Sequence, residues 1–141
     1  TIDSIKEVLR EKSVICTQSD ENEYLCLPSE WHDDTLRAKS REFGDFGVVV
    51  DTIPPNLKPK HFFEDMSDEI FMSFTFDDPL TGVSTYNAFV DGEWVLLEHD
   101  PKNKTLIHYF DGKISRGQHE LLIVVKDLVN NEKRLKLEFV R

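Results

Sequence analysis

Two cysteines, five scattered histidines and a set of aspartates at the ends of strand-like runs are the side chains here that could do chemistry. Neither Cys16 nor Cys26 has a histidine near it in sequence, and no Gly-x-Ser-x-Gly elbow occurs, so nucleophilic catalysis has no visible machinery. No glycine-rich loop is present to cradle a phosphate. The cysteines also lack the further Cys or His ligands that a structural zinc site needs. Ile15-Cys16 and Tyr24-Leu25-Cys26-Leu27 read as short strands around the polar stretch from Gln18 to Glu23. Two readings follow: the thiols face each other and form a bridge, or they are two small buried hydrophobes.

The carboxylates Asp51, Asp77, Asp78 and Asp127 could converge as oxygen ligands for Ca²⁺. The competing reading, which the local sequence favours, is that Asp51 and Asp127 end strands while Asp77 and Asp78 hydrogen-bond their own turn. On that reading no metal and no cofactor are expected. Trp31, Trp94, Tyr86 and Tyr109 could form a stacking platform for a glycan, and among them Trp31, between Glu30 and His32-Asp33, is the candidate for an exposed side chain. Trp94 follows Asp91-Gly92-Glu93 in an alternating run. It is expected in the core with Leu96, against Leu122, Val124 and the Phe74/Phe76 row.

The elements that would position these residues are mostly strands. Ile2 to Lys12 carries the one helical pattern, with Asp3 or Ser4 as a cap, although a strand also fits. Thr35 to Ser40 alternates apolar and polar residues, and Phe46 to Val50 reads as a strand closed by Pro54-Pro55. Strands are expected over Ile70 to Phe76, Val83 to Val90, Trp94 to Glu98, Thr105 to Phe110, His119 to Lys126 and Arg134 to Val140. Asp91-Gly92 is a strong hairpin signal. Short strands with frequent turns indicate an all-β chain, an antiparallel β-sandwich. Residues 1–50 are expected to form a small β-rich module, part of it lying upstream of Thr1, and residues 51–141 the sandwich. A chain starting at Thr1 without Met is expected to be a mature product or an excised fragment.

Acidic residues number 27 against 17 basic ones, a net charge of −10. That balance argues against nucleic acid and against anionic lipid as partners. No apolar run reaches the roughly 20 residues of a membrane-spanning helix.

The order of landmarks resembles a known family. Asp51-Thr52-Ile53-Pro54-Pro55, then Asp77-Asp78-Pro79-Leu80-Thr81-Gly82-Val83, Val90-Asp91-Gly92-Glu93-Trp94-Val95 and Val125-Lys126-Asp127-Leu128-Val129-Asn130-Asn131 are similar to bacterial Ig-like modules. Thr81 stands where Ser is usual and Asn131 where Gly is common. With Arg41 to Phe46 leading in, the chain resembles the non-catalytic C-terminal β-sandwich region of lysostaphin-like zinc metallopeptidases. That family's catalytic domain carries His-x-x-x-Asp and His-x-His zinc ligands. His61 and Asp65 match the first spacing but lack its central glycine, and no His-x-His occurs, so they read as a chance spacing. The resemblance implies an Ig-like accessory module in the periplasm or at the cell surface, contacting a catalytic domain outside this chain or another envelope protein. A glycan-binding module is the alternative.

Overall fold

The computed structural model describes the backbone of residues 2–141 and the side chains of residues 6–141. One helix, α1 (Ile2–Glu11), precedes five short strands: β1 (Ser13–Gln18), β2 (Tyr24–Leu27), β3 (Ser29–His32), β4 (Thr35–Ala38) and β5 (Phe46–Val50). Eight more follow: β6 (Asn56–His61), β7 (Phe71–Asp77), β8 (Val83–Val90), β9 (Glu93–Val95), β10 (Glu98–Asp100), β11 (Thr105–Tyr109), β12 (Gln118–Asp127) and β13 (Glu132–Val140). The helix forms where the sequence allowed either helix or strand. Its expected cap, Asp3 or Ser4, and the apolar side chains of Ile2 and Ile5 lie outside the described residues.

The larger region is a sandwich of two four-stranded antiparallel sheets, ordered β10-β11-β7-β6 and β13-β12-β8-β9. Alternate residues of each sheet meet in one core. Met72, Phe74, Phe76 and Leu106 come from the first sheet, and Ala88, Leu121, Ile123, Val125 and Phe139 from the second. The sandwich fold expected from the turn spacing is present. β6 leaves no clear strand pattern in the sequence because Pro59 sits inside it. It runs at a sheet edge, with a register shift at Pro59, where a missing N–H is tolerated.

Two expectations are corrected. Trp94 is 57% exposed and Leu96 56%. The Asp91-Gly92 turn, both residues at positive φ, fixes Ala88 opposite Val95 and Phe89 opposite Trp94. Ala88 is core, so Val95 shares its inward face and Trp94 the outer one. Both alternating sets of Trp94-Val95-Leu96-Leu97 are apolar, so alternation alone could not choose between faces. The same ambiguity covers β12, where Leu121, Ile123 and Val125 are buried and Leu122 and Val124 are not. Glu120 and Lys126, in phase with Leu122 and Val124, were the available signal that this set points outward. The single strand expected over Trp94 to Glu98 is in fact two. β9 pairs with β8 in one sheet, β10 pairs with β11 in the other, and Leu97 enters the core at the crossing.

The smaller region is a three-stranded antiparallel sheet, β2-β1-β5, beside the β3-β4 hairpin. Cys16 pairs directly with Cys26 across the strands, and the two form a disulfide with Cα atoms 4.0 Å apart. Of the two readings open in sequence, the bridge is the one present. Val14 and Cys16 on the covered face pack with Val129 from the β12-β13 turn, joined by Cys26, Val49 and Leu128.

Candidate functional site

The carboxylates gather where β5, the β7-β8 loop and the β12-β13 turn meet. Asp51, Asp78 and Asp127 each place an oxygen within 4.8 Å of the others. Asp77, the fourth candidate, is not among them. The alternation of β7 turns it outward, where it accepts a hydrogen bond from Lys104 Nζ at 2.9 Å.

Each carboxylate caps its own turn. Asp51 Oδ1 accepts from the Ile53 amide at 2.9 Å, and its Oδ2 accepts from the Thr81 hydroxyl at 2.6 Å. Asp78 Oδ1 accepts from the amides of Leu80, Thr81 and Gly82. Asp127 Oδ1 accepts from the amides of Val129 and Asn131, and its Oδ2 from Asn131 Nδ2 at 2.6 Å. Asn131 Nδ2 also donates to the Asp51 carbonyl at 3.0 Å. Five of the six carboxylate oxygens therefore already accept hydrogen bonds. Turn sequences rich in Asp and Asn fold this way because a short side-chain oxygen reaches amides two to four residues ahead.

Thr81 and Asn131 knit these local caps into one network across three segments distant in sequence. The knot holds the Asp51 junction to both loops of the sandwich. The Asp51 amide adds a bond to the Lys12 carbonyl at 2.9 Å, and Lys12 Nζ reaches the Val129 carbonyl at 2.9 Å. Burial pushes the Asp127 carboxyl above its ordinary range, and the neighbouring Asp51 charge adds to that, against the hydrogen bonds from Asn131 and Val129. The geometry is that of a buried, hydrogen-bonded structural knot. Sequence reasoning found three of its carboxylates but not the bridging roles of Thr81 and Asn131, which stood in the sequence only as turn residues.

The remaining candidates are placed elsewhere. His61 Nε2 lies 2.6 Å from Glu69 Oε2, and its ring stacks on Phe71. Asp65 accepts from the Ser67 amide at 2.9 Å, closing its own turn. Trp31 is partly exposed, but Arg10 occupies it. Its Nε1 donates to the Arg10 carbonyl at 2.8 Å, and the Arg10 guanidinium lies 4.4 Å from the ring centroid. The indole thus fastens the β3-β4 hairpin to the end of α1, and one ring face is taken.

His119 is buried with an acceptor at each ring nitrogen: Asp91 Oδ2 at 2.6 Å from Nδ1, and the Ser115 carbonyl at 2.8 Å from Nε2. Only the doubly protonated ring can donate to both. The Asp91 hydrogen bond, with a smaller contribution from Ser115, outweighs burial and holds the imidazole above its usual value. The pair ties the β8-β9 turn to the start of β12. Among the described residues no helix is long and apolar enough to cross a membrane. Comparison with known proteins finds no family model that matches this chain and no curated relative that matches it.

Proposed function

We propose that this chain is a non-catalytic interaction module of a bacterial cell-envelope peptidase, docking a catalytic domain through the outer face of its smaller sheet. One observation carries the reading. On β2-β1-β5 the face opposite Val14 and Cys16 presents Leu25, Phe46, Val48 and Val50, and all four are exposed, Val48 by 62%. Phe43, also exposed, lines an adjoining open groove together with Leu25 and Phe46. A contiguous apolar sheet face of this kind is a signature of an interaction surface. The Cys16–Cys26 bridge supports an oxidising compartment, the periplasm or the cell surface. The choice of a peptidase domain as occupant rests on the landmarks from Asp51 to Asn131. The pairing of His61 with Glu69, away from any second histidine ligand motif, supports a non-catalytic role.

Two measurements test the reading. Incubated alone with crosslinked stem peptides and excess Zn²⁺, the chain should release nothing; zinc-dependent cleavage lost in His61→Ala would overturn the proposal. In the protein carrying both parts, Val48→Lys should depress cleavage while leaving the urea midpoint of this chain near wild type. Unchanged cleavage would remove the docking role from this face.

A further inference from the structure

The outward position of Trp94 has a consequence beyond the docking face. Trp94 Nε1 donates to Asn87 Oδ1 at 3.2 Å, so the exposed indole is held in one orientation before anything binds. It borders three adjoining concavities at the edge where the chain crosses between the sheets. The middle one, about 410 Å³, falls within the roughly 300–1,000 Å³ of small-molecule sites. Its lining includes a second exposed aromatic, Tyr109 at 50%, together with Glu98, Asp111, Lys113 and His108.

The polar lining is rich in acceptors. The carboxylates of Glu98 and Asp111 only accept, and Lys113 Nζ, the one cation, is already 2.8 Å from Asp111 Oδ2. His108 borders the cavity from the core side, its Nδ1 donating to the Leu96 carbonyl at 2.8 Å, and its ring is buried rather than presented to a ligand. An exposed, pre-oriented indole beside a cavity that offers acceptors calls for a ligand with an apolar face and several hydroxyl donors. A pyranose ring is that ligand: its C–H face lies flat on an aromatic ring and its rim is hydroxylated. The carboxylates, with Glu93 at the same edge, exclude an anionic sugar.

We infer that the cleft between Trp94 and Tyr109 is a binding site for a neutral glycan, with the indole as stacking platform and the carboxylates of Glu98 and Asp111 as hydroxyl acceptors. The inference is independent of the docking face, which lies on the smaller sheet. A peptide strand adding to the stretch of β8 left unpaired beyond β9 is the rival occupant of the same edge.

The test uses the whole chain in a Trp31→Phe background, so that Trp94 is the only indole reporting. Titration with chitotetraose and cellotetraose, read by fluorescence and calorimetry, should give a saturable shift with at least one of them. A tetramer of galacturonic acid should give none. Trp94→Ala, followed by calorimetry, should weaken binding by about tenfold or more, and Glu98→Ala by less. The Trp94→Ala protein should unfold at nearly the wild-type urea concentration, so loss of binding is not loss of fold. No saturation with either neutral sugar, equal binding of the acidic tetramer, or affinity unchanged by Trp94→Ala would each overturn the assignment. So would saturable binding of an extended peptide that the neutral sugars fail to displace.

Discussion

In the sandwich, thirteen buried side chains share one space between two sheets. Among the described residues of the smaller region the corresponding cluster has three members, and one of them, Val129, is lent by the sandwich itself. The contrast follows from layering. A three-stranded sheet covered on one face cannot enclose a core of its own, so other links must hold it. Here those links are the disulfide between β1 and β2, the Arg10–Trp31 contact, and the carboxylate knot at Asp51. One region is held by buried area, the other by a few specific bonds. The second arrangement also leaves an apolar face uncovered, and that face is the one proposed to dock.

The comparison is open to direct attack. Phe74 is fully buried between the sheets, and Phe74→Ala should cost about 3–5 kcal/mol, read as a large fall in the urea midpoint. A small fall would mean that the sandwich core does not dominate.

Breaking the Cys16–Cys26 bridge should cost about 2–3 kcal/mol by the chain-entropy argument for so short a loop. Hydrogen exchange should localise the loss to β1, β2 and β5. Exchange rising equally in β12 would show that the two regions unfold as one.

Asn131→Ala strips Asp127 Oδ2 and the Asp51 carbonyl of a donor and should cost about 1–3 kcal/mol. Asp51→Asn should be milder, because the Thr81 hydroxyl can turn from donor to acceptor. Equal losses in the two variants would argue against a hydrogen-bonded knot.

The smallest effect is that of pH on the sandwich. His119 has a raised folded pKa, so its stabilising contribution is complete below its unfolded value near 6.5 and is lost as pH rises through the folded one. Asp127, also raised, carries the same sign at lower pH: protonation favours the fold and ionisation opposes it. The urea midpoint should therefore drift down above neutrality, and His119→Gln should flatten that drift.

Legibility in sequence divided along the same line. The sandwich was readable because turn chemistry at Asp91-Gly92 and Asp127 to Asn131 punctuates runs of the right length. The choice of inward face is not readable wherever both phases are apolar, as at Trp94, whose outward position alternation alone does not select. Bonds between distant segments left no local trace. Neither Arg10 over Trp31 nor Asn131 on Asp51 has a pattern that a window along the chain could detect. Asp77 and Asp78, adjacent in sequence, point to opposite neighbours because strand alternation separates them.

The crossing at Leu96-Leu97 sets how the edge of the molecule can change. β9 and β10 are one continuous stretch, anchored by three residue pairs to each sheet. The sheets cannot slip past each other by a residue without tearing one of those anchors, so the stretch works as a hinge pin locked at both ends. Trp94 and Glu98, on its two sides, keep a fixed separation for the same reason. Lengthening or shortening that single connection would re-gauge the mouth of the cleft while leaving both sheets as they are.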